Sequence, residues 1–128
     1  MVSERRKFGD IGEETARKYL LKHGYRIIER NYQRPWGEID IVAKLGSKLV
    51  FVEVKTRKIS GVSYGAPEQN VNAAKKRRLR KICETYLLEK RYPAYQDWRI
   101  DVISVTIDVV KKRAQVRHIE NAVWDATY

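Results

Sequence analysis

Asp40 and Glu53 stand thirteen positions apart, on either side of a segment that reads as a short β-hairpin. The run Gly37-Glu38-Ile39-Asp40-Ile41-Val42-Ala43 leads into Lys44-Leu45-Gly46-Ser47-Lys48 and returns as Leu49-Val50-Phe51-Val52-Glu53-Val54-Lys55. A turn centred on Gly46-Ser47 sets Asp40 opposite Glu53 and Glu38 opposite Lys55. Directly opposed side chains lie about 4.5–5.5 Å apart at Cβ, where like charges destabilise a sheet. A divalent cation shared by the two acids offsets that repulsion. Hard oxygen ligands select Mg²⁺ or Mn²⁺ over Zn²⁺. Such an ion polarises a phosphodiester oxygen and acidifies a bound water. Glu53 and Lys55 project from the same side of their strand. Lys55 is therefore placed to orient that water or to stabilise charge building on phosphorus.

These side chains need a scaffold, and the surrounding pattern supplies one. From Asp10 to His23 the periodicity is helical: Phe8, Gly12, Ala16, Tyr19 and Leu20 share one arc, and Gly24 suits the position after the C-cap. Glu13 lies at the margin of that arc, directed toward the body of the protein and available to the acid pair. Tyr25 to Tyr32 reads as a strand, and Arg34-Pro35-Trp36-Gly37 as the turn into the hairpin. Alternation puts Ile39, Ile41, Val52 and Val54 on one hairpin face. Glu38, Asp40, Val42, Phe51, Glu53 and Lys55 fall on the other. Lys58 to Pro67 reads as a loop, followed by a long helix starting at Pro67 or Asn72 and ending at Lys90. Its apolar stripe is Val71, Leu79, Ile82, Cys83, Tyr86 and Leu87. Trp98 to Val110 and Ala114 to Ile119 read as two strands paired across Lys111-Lys112-Arg113. The expected order is α-β-β-β-α-β-β, one mixed α/β domain over residues 1–128.

Lysines and arginines number 27 against 16 acids, a formal net charge of +11. So basic a chain calls for a polyanionic partner, nucleic acid ahead of an anionic membrane. The cations concentrate at Lys75, Lys76, Arg77, Arg78, Arg80 and Lys81, with no acid until Glu84. Neighbours in such a run repel unless an anion binds, which favours phosphate contacts. Arg57 and Lys58 extend the same track. A single cysteine, Cys83, rules out an internal disulfide and a thiolate zinc site. It suits a reducing cytoplasm, and neither an apolar leader nor a run of the roughly 20 apolar residues of a membrane span is present. Trp36 reads better as an aromatic closing the edge of the core than as a base-stacking residue. His118 reads as structural. The histidines support no serine or cysteine triad, and no Walker or Rossmann glycine pattern occurs.

Asp40 followed a dozen residues later by Glu53-Val54-Lys55 resembles the motif of the PD-(D/E)XK nuclease superfamily, with Ile39 where a proline often stands. The run Val52 to Lys58 resembles the archaeal Holliday junction resolvases. Nearly the whole chain is similar to the small bacterial YraN-like family, uncharacterised family 0102. The similarity is carried by Gly12-Glu13 with Ala16, Arg30-Asn31-Tyr32, Gly37 to Asp40, Glu53 to Arg57, Tyr86-Leu87, Asp101-Val102-Ile103 and His118 to Ala122. That resemblance implies a restriction endonuclease-like core, a mixed sheet flanked by helices. It makes Asp40 and Glu53 metal ligands with the Val54 carbonyl as a third, Lys55 the catalytic lysine, and Glu13 an outer or second-metal acid. The expectation is a Mg²⁺- or Mn²⁺-dependent nuclease acting on DNA, in a structured or branched form, more than on RNA. To cut both strands of a junction so small a domain needs a homodimer. The alternative is a non-catalytic DNA- or RNA-binding module on the same scaffold.

Overall fold

The computed structural model describes residues 3–60 and 72–122. In chain order the elements are α1 (Glu4–Lys22), β1 (Arg26–Arg34), β2 (Gly37–Leu45), β3 (Lys48–Ile59), α2 (Ala73–Glu89), β4 (Trp98–Asp108) and β5 (Arg113–Ile119). This is the expected α-β-β-β-α-β-β order. The five strands form one sheet in the order β1-β2-β3-β4-β5. Neighbours are antiparallel except β3 and β4, which run parallel because α2 carries the chain between them.

The sheet is covered on both faces. Ala16 and Leu20 of α1 pack on Ile41, Ala43, Val50, Val52, Ile103 and Val105. Leu79, Ile82, Cys83 and Tyr86 of α2 pack on Val42, Leu49, Phe51 and Ile100. β3 is buried on both sides in its first half, so Leu49 to Val52 reads as an unbroken apolar run rather than an alternation. No helix among the described residues is long and apolar enough to cross a membrane.

Element ends differ from the sequence reading where side chains or distant strands, rather than periodicity, set them. α1 starts at Glu4 instead of Asp10, because the Ser3 hydroxyl accepts the Arg6 N–H and caps a first turn too polar to show an apolar arc. β3 continues through Lys58 and Ile59, which were expected in a loop; pairing with Ile107 and Asp108 of β4 holds them extended. α2 begins at the later of its two expected starts, with the Asn72 side chain accepting the Lys75 N–H at 2.9 Å. Pro67 and Val71, expected in this helix, lie outside the described residues. β4 stops at Asp108 rather than Val110, because the Asp108 carboxylate accepts the N–H groups of Val110 and Lys111 and turns the chain.

Ile39 also departs from the expected face. It packs with Tyr32, Phe51 and Tyr86 on the α2 side, not with Ile41. Asn31 has φ of 55°, a left-handed residue that breaks the alternation of β1 just before Tyr32, the ladder partner of Ile39.

Gly12 fixes how deeply α1 seats on the sheet. An ideal Cβ there would sit 2.9 Å from the Thr56 Cβ and closer still to its hydroxyl. No side chain fits at that crossing. The contact draws the helix turn bearing Glu13 onto the stretch of β3 just past Lys55. Gly12→Ala should lift α1 and cost about 1–3 kcal/mol through overpacking. Urea denaturation checks this, and a midpoint equal to wild type counts against the close crossing.

Candidate functional site

The hairpin register is the one its turn dictates. Leu45 pairs with Lys48, and the ladder proceeds through Ala43 and Val50 to Ile41 and Val52. There it ends. Asp40 and Glu53 are not ladder partners, and neither are Glu38 and Lys55. β2 and β3 fork, and the Asp40 carboxylate reaches across to accept the Val54 N–H at 2.7 Å. β3 stays straight because β4 holds it, with Glu53 beside Val102 and Lys55 beside Ser104. Glu38 instead accepts a hydrogen bond from the Gln33 amide at 3.2 Å. The expected ladder pairings of Asp40 with Glu53 and of Glu38 with Lys55 are thus both corrected: the strands part before either pair forms, and Asp40 meets the Val54 N–H instead.

Charge is concentrated at this fork. The Asp40 carboxyl is pushed up to about 7, first by burial and then by the Glu53 charge, against the pull of the Val54 N–H; Glu38 and Glu13 push the same way. Burial also raises Glu13, although Arg30 approaches it at 3.4 Å. Lys55 is lowered from the usual lysine range by burial and then by Lys75 beside it. Lys75 itself reaches from α2 to the Glu53 carboxylate at 2.9 Å. One cation of the basic run therefore serves as counter-ion to a candidate metal ligand.

The donors suit a hard divalent ion. Asp40 and Glu53 offer carboxylate oxygens on adjacent strands, and Val54 adds a carbonyl. Among the described residues no three acidic, histidine or cysteine side chains gather at ligating range. An ion held here would rest on two carboxylates, a carbonyl and water, the way Mg²⁺ is commonly bound.

The basic run divides by role. Arg77, Arg78 and Lys81 are exposed on α2, while Lys75, Lys76 and Arg80 are half-buried. Lys58 lies elsewhere, its ammonium 4.9 Å from the centre of the Phe8 ring of α1. Arg57 is half-buried on β3. Of the sequence-derived cations, those on α2 form the face next to the acids. Lys75 and Arg78 line a pocket of about 160 Å³ that also contains Glu38 and Glu53. At its edge stands Trp36, 44% exposed and outside both cores, which overturns the expectation that it closes the core. Sequence reasoning set Trp36 at the core edge and Glu38 opposite Lys55, and did not bring the two together in one pocket. The available signal was their adjacency to Asp40 in Trp36-Gly37-Glu38.

His118 has the structural role expected of it. Its Nε2 lies 2.7 Å from the buried Asp101 carboxylate and its Nδ1 3.1 Å from the Tyr19 hydroxyl. Asp101 also accepts from Arg99 and from the Asn121 N–H. This network ties α1 to β4 and β5 and shares no residue with the acid site.

The family model described as "Uncharacterised protein family UPF0102" matches residues 12–105, a span containing Glu13, Asp40, Glu53, Lys55 and α2. The chain is 43% identical over 122 residues to a UPF0102 protein of Moorella thermoacetica, covering 95% of this chain and 99% of that one. It is 40% identical over 117 residues to one from Alkaliphilus oremlandii, covering 91% and 97%. A Roseiflexus castenholzii UPF0102 protein is 35% identical over 126 residues, covering 98% and 100%. Among solved structures it is similar to SfsA of Pyrococcus furiosus in complex with Ca²⁺. The TM-score is 0.42 at 16% identity, over 91% of this chain and 63% of that one.

Asp40 gives a sign-definite pH effect. Its carboxyl holds a proton in the folded state up to about pH 7, whereas the unfolded chain releases it near 3.8. Between those values the native state binds more protons, so metal-free protein loses stability as pH rises through the window. Asp40→Asn keeps an acceptor for the Val54 N–H and removes the charge. In chelator it should be more stable than wild type at pH 8 by about 1–3 kcal/mol, and the advantage should vanish near pH 4. Thermal melts across pH test this; parallel curves for the two proteins would refute it.

Proposed function

The chain belongs to the uncharacterised protein family UPF0102, and we propose that it is a divalent-metal-dependent nuclease that hydrolyses DNA phosphodiester bonds, in a structured or branched form of DNA. The observation that carries this is the Asp40–Val54 bridge at the β2–β3 fork, which sets a half-buried carboxylate against the Glu53–Lys55 segment beside the basic face of α2. Arg77, Arg78 and Lys81 hold the phosphate backbone, so binding weakens steeply with salt and carries little base information. Asp40, Glu53 and the Val54 carbonyl would hold Mg²⁺ or Mn²⁺, with Glu13 adding negative charge from α1. The ion, when bound, supplies Lewis acidity toward a phosphate oxygen and a more acidic water. The Val54 N–H holds the Asp40 carboxylate in place at the fork. Lys55, its pKa lowered by burial and by Lys75, is suited to exchange a proton with the attacking water or to stabilise the negative charge on the oxygens of the pentacoordinate phosphorus. Lys75 pairs with Glu53 and lies within reach of an incoming phosphate, so substrate draws it off the carboxylate. Cutting both strands of a junction takes two copies of the chain.

The Lys75–Glu53 ion pair also favours a second reading, a nucleic-acid-binding module in which a protein cation replaces the metal for good. Calorimetry separates the two. Wild type should bind Mn²⁺ and Asp40→Asn should not, whereas the binding module predicts no metal heat in either. Asp40→Asn and Lys55→Ala should each abolish cutting, at least about 100-fold, with DNA affinity nearly unchanged. Failure of the wild-type protein with Mg²⁺ or Mn²⁺ to cut duplex, flap, junction and single-stranded substrates alike would sink the catalytic proposal.

Lys75→Met gives a second check. It removes the internal counter-ion of Glu53 and one phosphate contact together. Mn²⁺ should bind several-fold more tightly, consistent with an ion pair worth about 1 kcal/mol, while DNA affinity falls. Weaker Mn²⁺ binding in this variant would mean that Lys75 supports the site instead of competing for it.

A further inference from the structure

Between the β1–β2 turn and the first turns of α2, the 160 Å³ pocket has three kinds of surface. Leu79 and Ile82, both buried, make an apolar floor. The indole of Trp36 stands at one wall, 44% exposed, with the Lys81 ammonium 5.9 Å from its ring. Glu38 and Arg78 form a charged rim, with Glu38 steered by the Gln33 amide. Glu53 lines the same pocket, so its far side is the acid site.

Each surface answers to a different part of one nucleotide. An indole and an apolar floor accept the face of a flat ring, and stacking on Trp tolerates any base. A carboxylate accepts the amino or imino hydrogens along a base edge. The flanking cations take phosphate. Bases in continuous duplex are stacked on their neighbours and cannot enter, whereas a base at a nick, flap, loop or junction is free to do so. We infer that this pocket receives one unstacked nucleobase of the bound strand, with Trp36 as its stacking platform, and so selects single-stranded or branched DNA over continuous duplex. The inference rests on the proposed function only for the position of the phosphate beside the base.

Binding in chelator tests it without any cutting. A 12-nucleotide single strand and a blunt duplex of the same sequence are titrated into wild type, Trp36→Ala and Trp36→Phe, following tryptophan emission and the anisotropy of a labelled DNA end. The single strand should quench wild-type emission. Trp36→Ala should lose about 5- to 150-fold in single-strand affinity, the range of one base–aromatic stack, and keep its duplex affinity within twofold. Trp36→Phe retains a ring, so it should bind the single strand within a few-fold of wild type yet lose the quench. Equal losses for single strand and duplex, no loss at all, or an undiminished quench in Trp36→Phe would each overturn the pocket's assignment. Assaying wild-type cutting with Mg²⁺ or Mn²⁺ on the same strands separates the two proposals. A Trp36-dependent strand preference in a wild-type protein that never cuts would leave the base pocket standing and remove the nuclease. Cutting by wild type with no Trp36 effect would do the reverse.

Discussion

One hydrogen bond organises this molecule's chemistry: the Asp40 carboxylate accepting the Val54 N–H where β2 and β3 part. In a regular antiparallel ladder that N–H would be met by a backbone carbonyl. Here a side chain takes the carbonyl's place, and an anion is thereby held partly buried among other anions. A lone carboxylate in such surroundings is costly, as its raised proton affinity records. The fork persists because both of its prongs are anchored elsewhere, β2 against β1 and β3 along the full length of β4. The electrostatic cost at the site is thus offset by pairing on either side of it.

α2 does two jobs with one surface pattern. Its apolar stripe, Leu79, Ile82, Cys83 and Tyr86, seals one face of the sheet. Its cations lie beside that stripe, and seating the stripe carries Lys75 to Glu53 and Lys81 to Trp36. Burial of the helix therefore sets the electrostatics of the acid site, without any additional element. The first helix acts in parallel from the opposite face. Gly12 lets it settle against Thr56, which brings the charge of Glu13 within range of Asp40.

Away from the fork, polarity serves packing. Asp101 is fully buried yet answered by Arg99, His118 and the Asn121 N–H. His118 sits between the Asp101 carboxylate and the Tyr19 hydroxyl, so both of its ring nitrogens are matched. The contrast with Asp40 is instructive. Both are aspartates on central strands, Asp101 fully buried and Asp40 half-buried; one is matched by Arg99 and neighbouring donors, whereas the other is ringed by Glu53, Glu38 and Glu13. Unmatched charge, more than burial, distinguishes the candidate site from a structural network.

Element order, the Gly46-Ser47 register and the apolar stripe of α2 were legible in the chain because each follows from local spacing: turn chemistry counts residues outward, and a helix returns every three or four. The acids and Lys55 could be named for the same reason. The fork could not, since it depends on β4 lying parallel beside β3, a partner some fifty residues away in sequence. Neither could the extension of β3 to Ile59, nor the side taken by Ile39, which turns on one left-handed residue at Asn31. Local sequence determined which charges exist and on which elements they ride. Only the packed sheet decided that Lys75 faces Glu53, that Glu38 turns from Lys55 to a pocket, and that Trp36 stands open at its edge, because contacts between distant segments are settled by burial of the whole core.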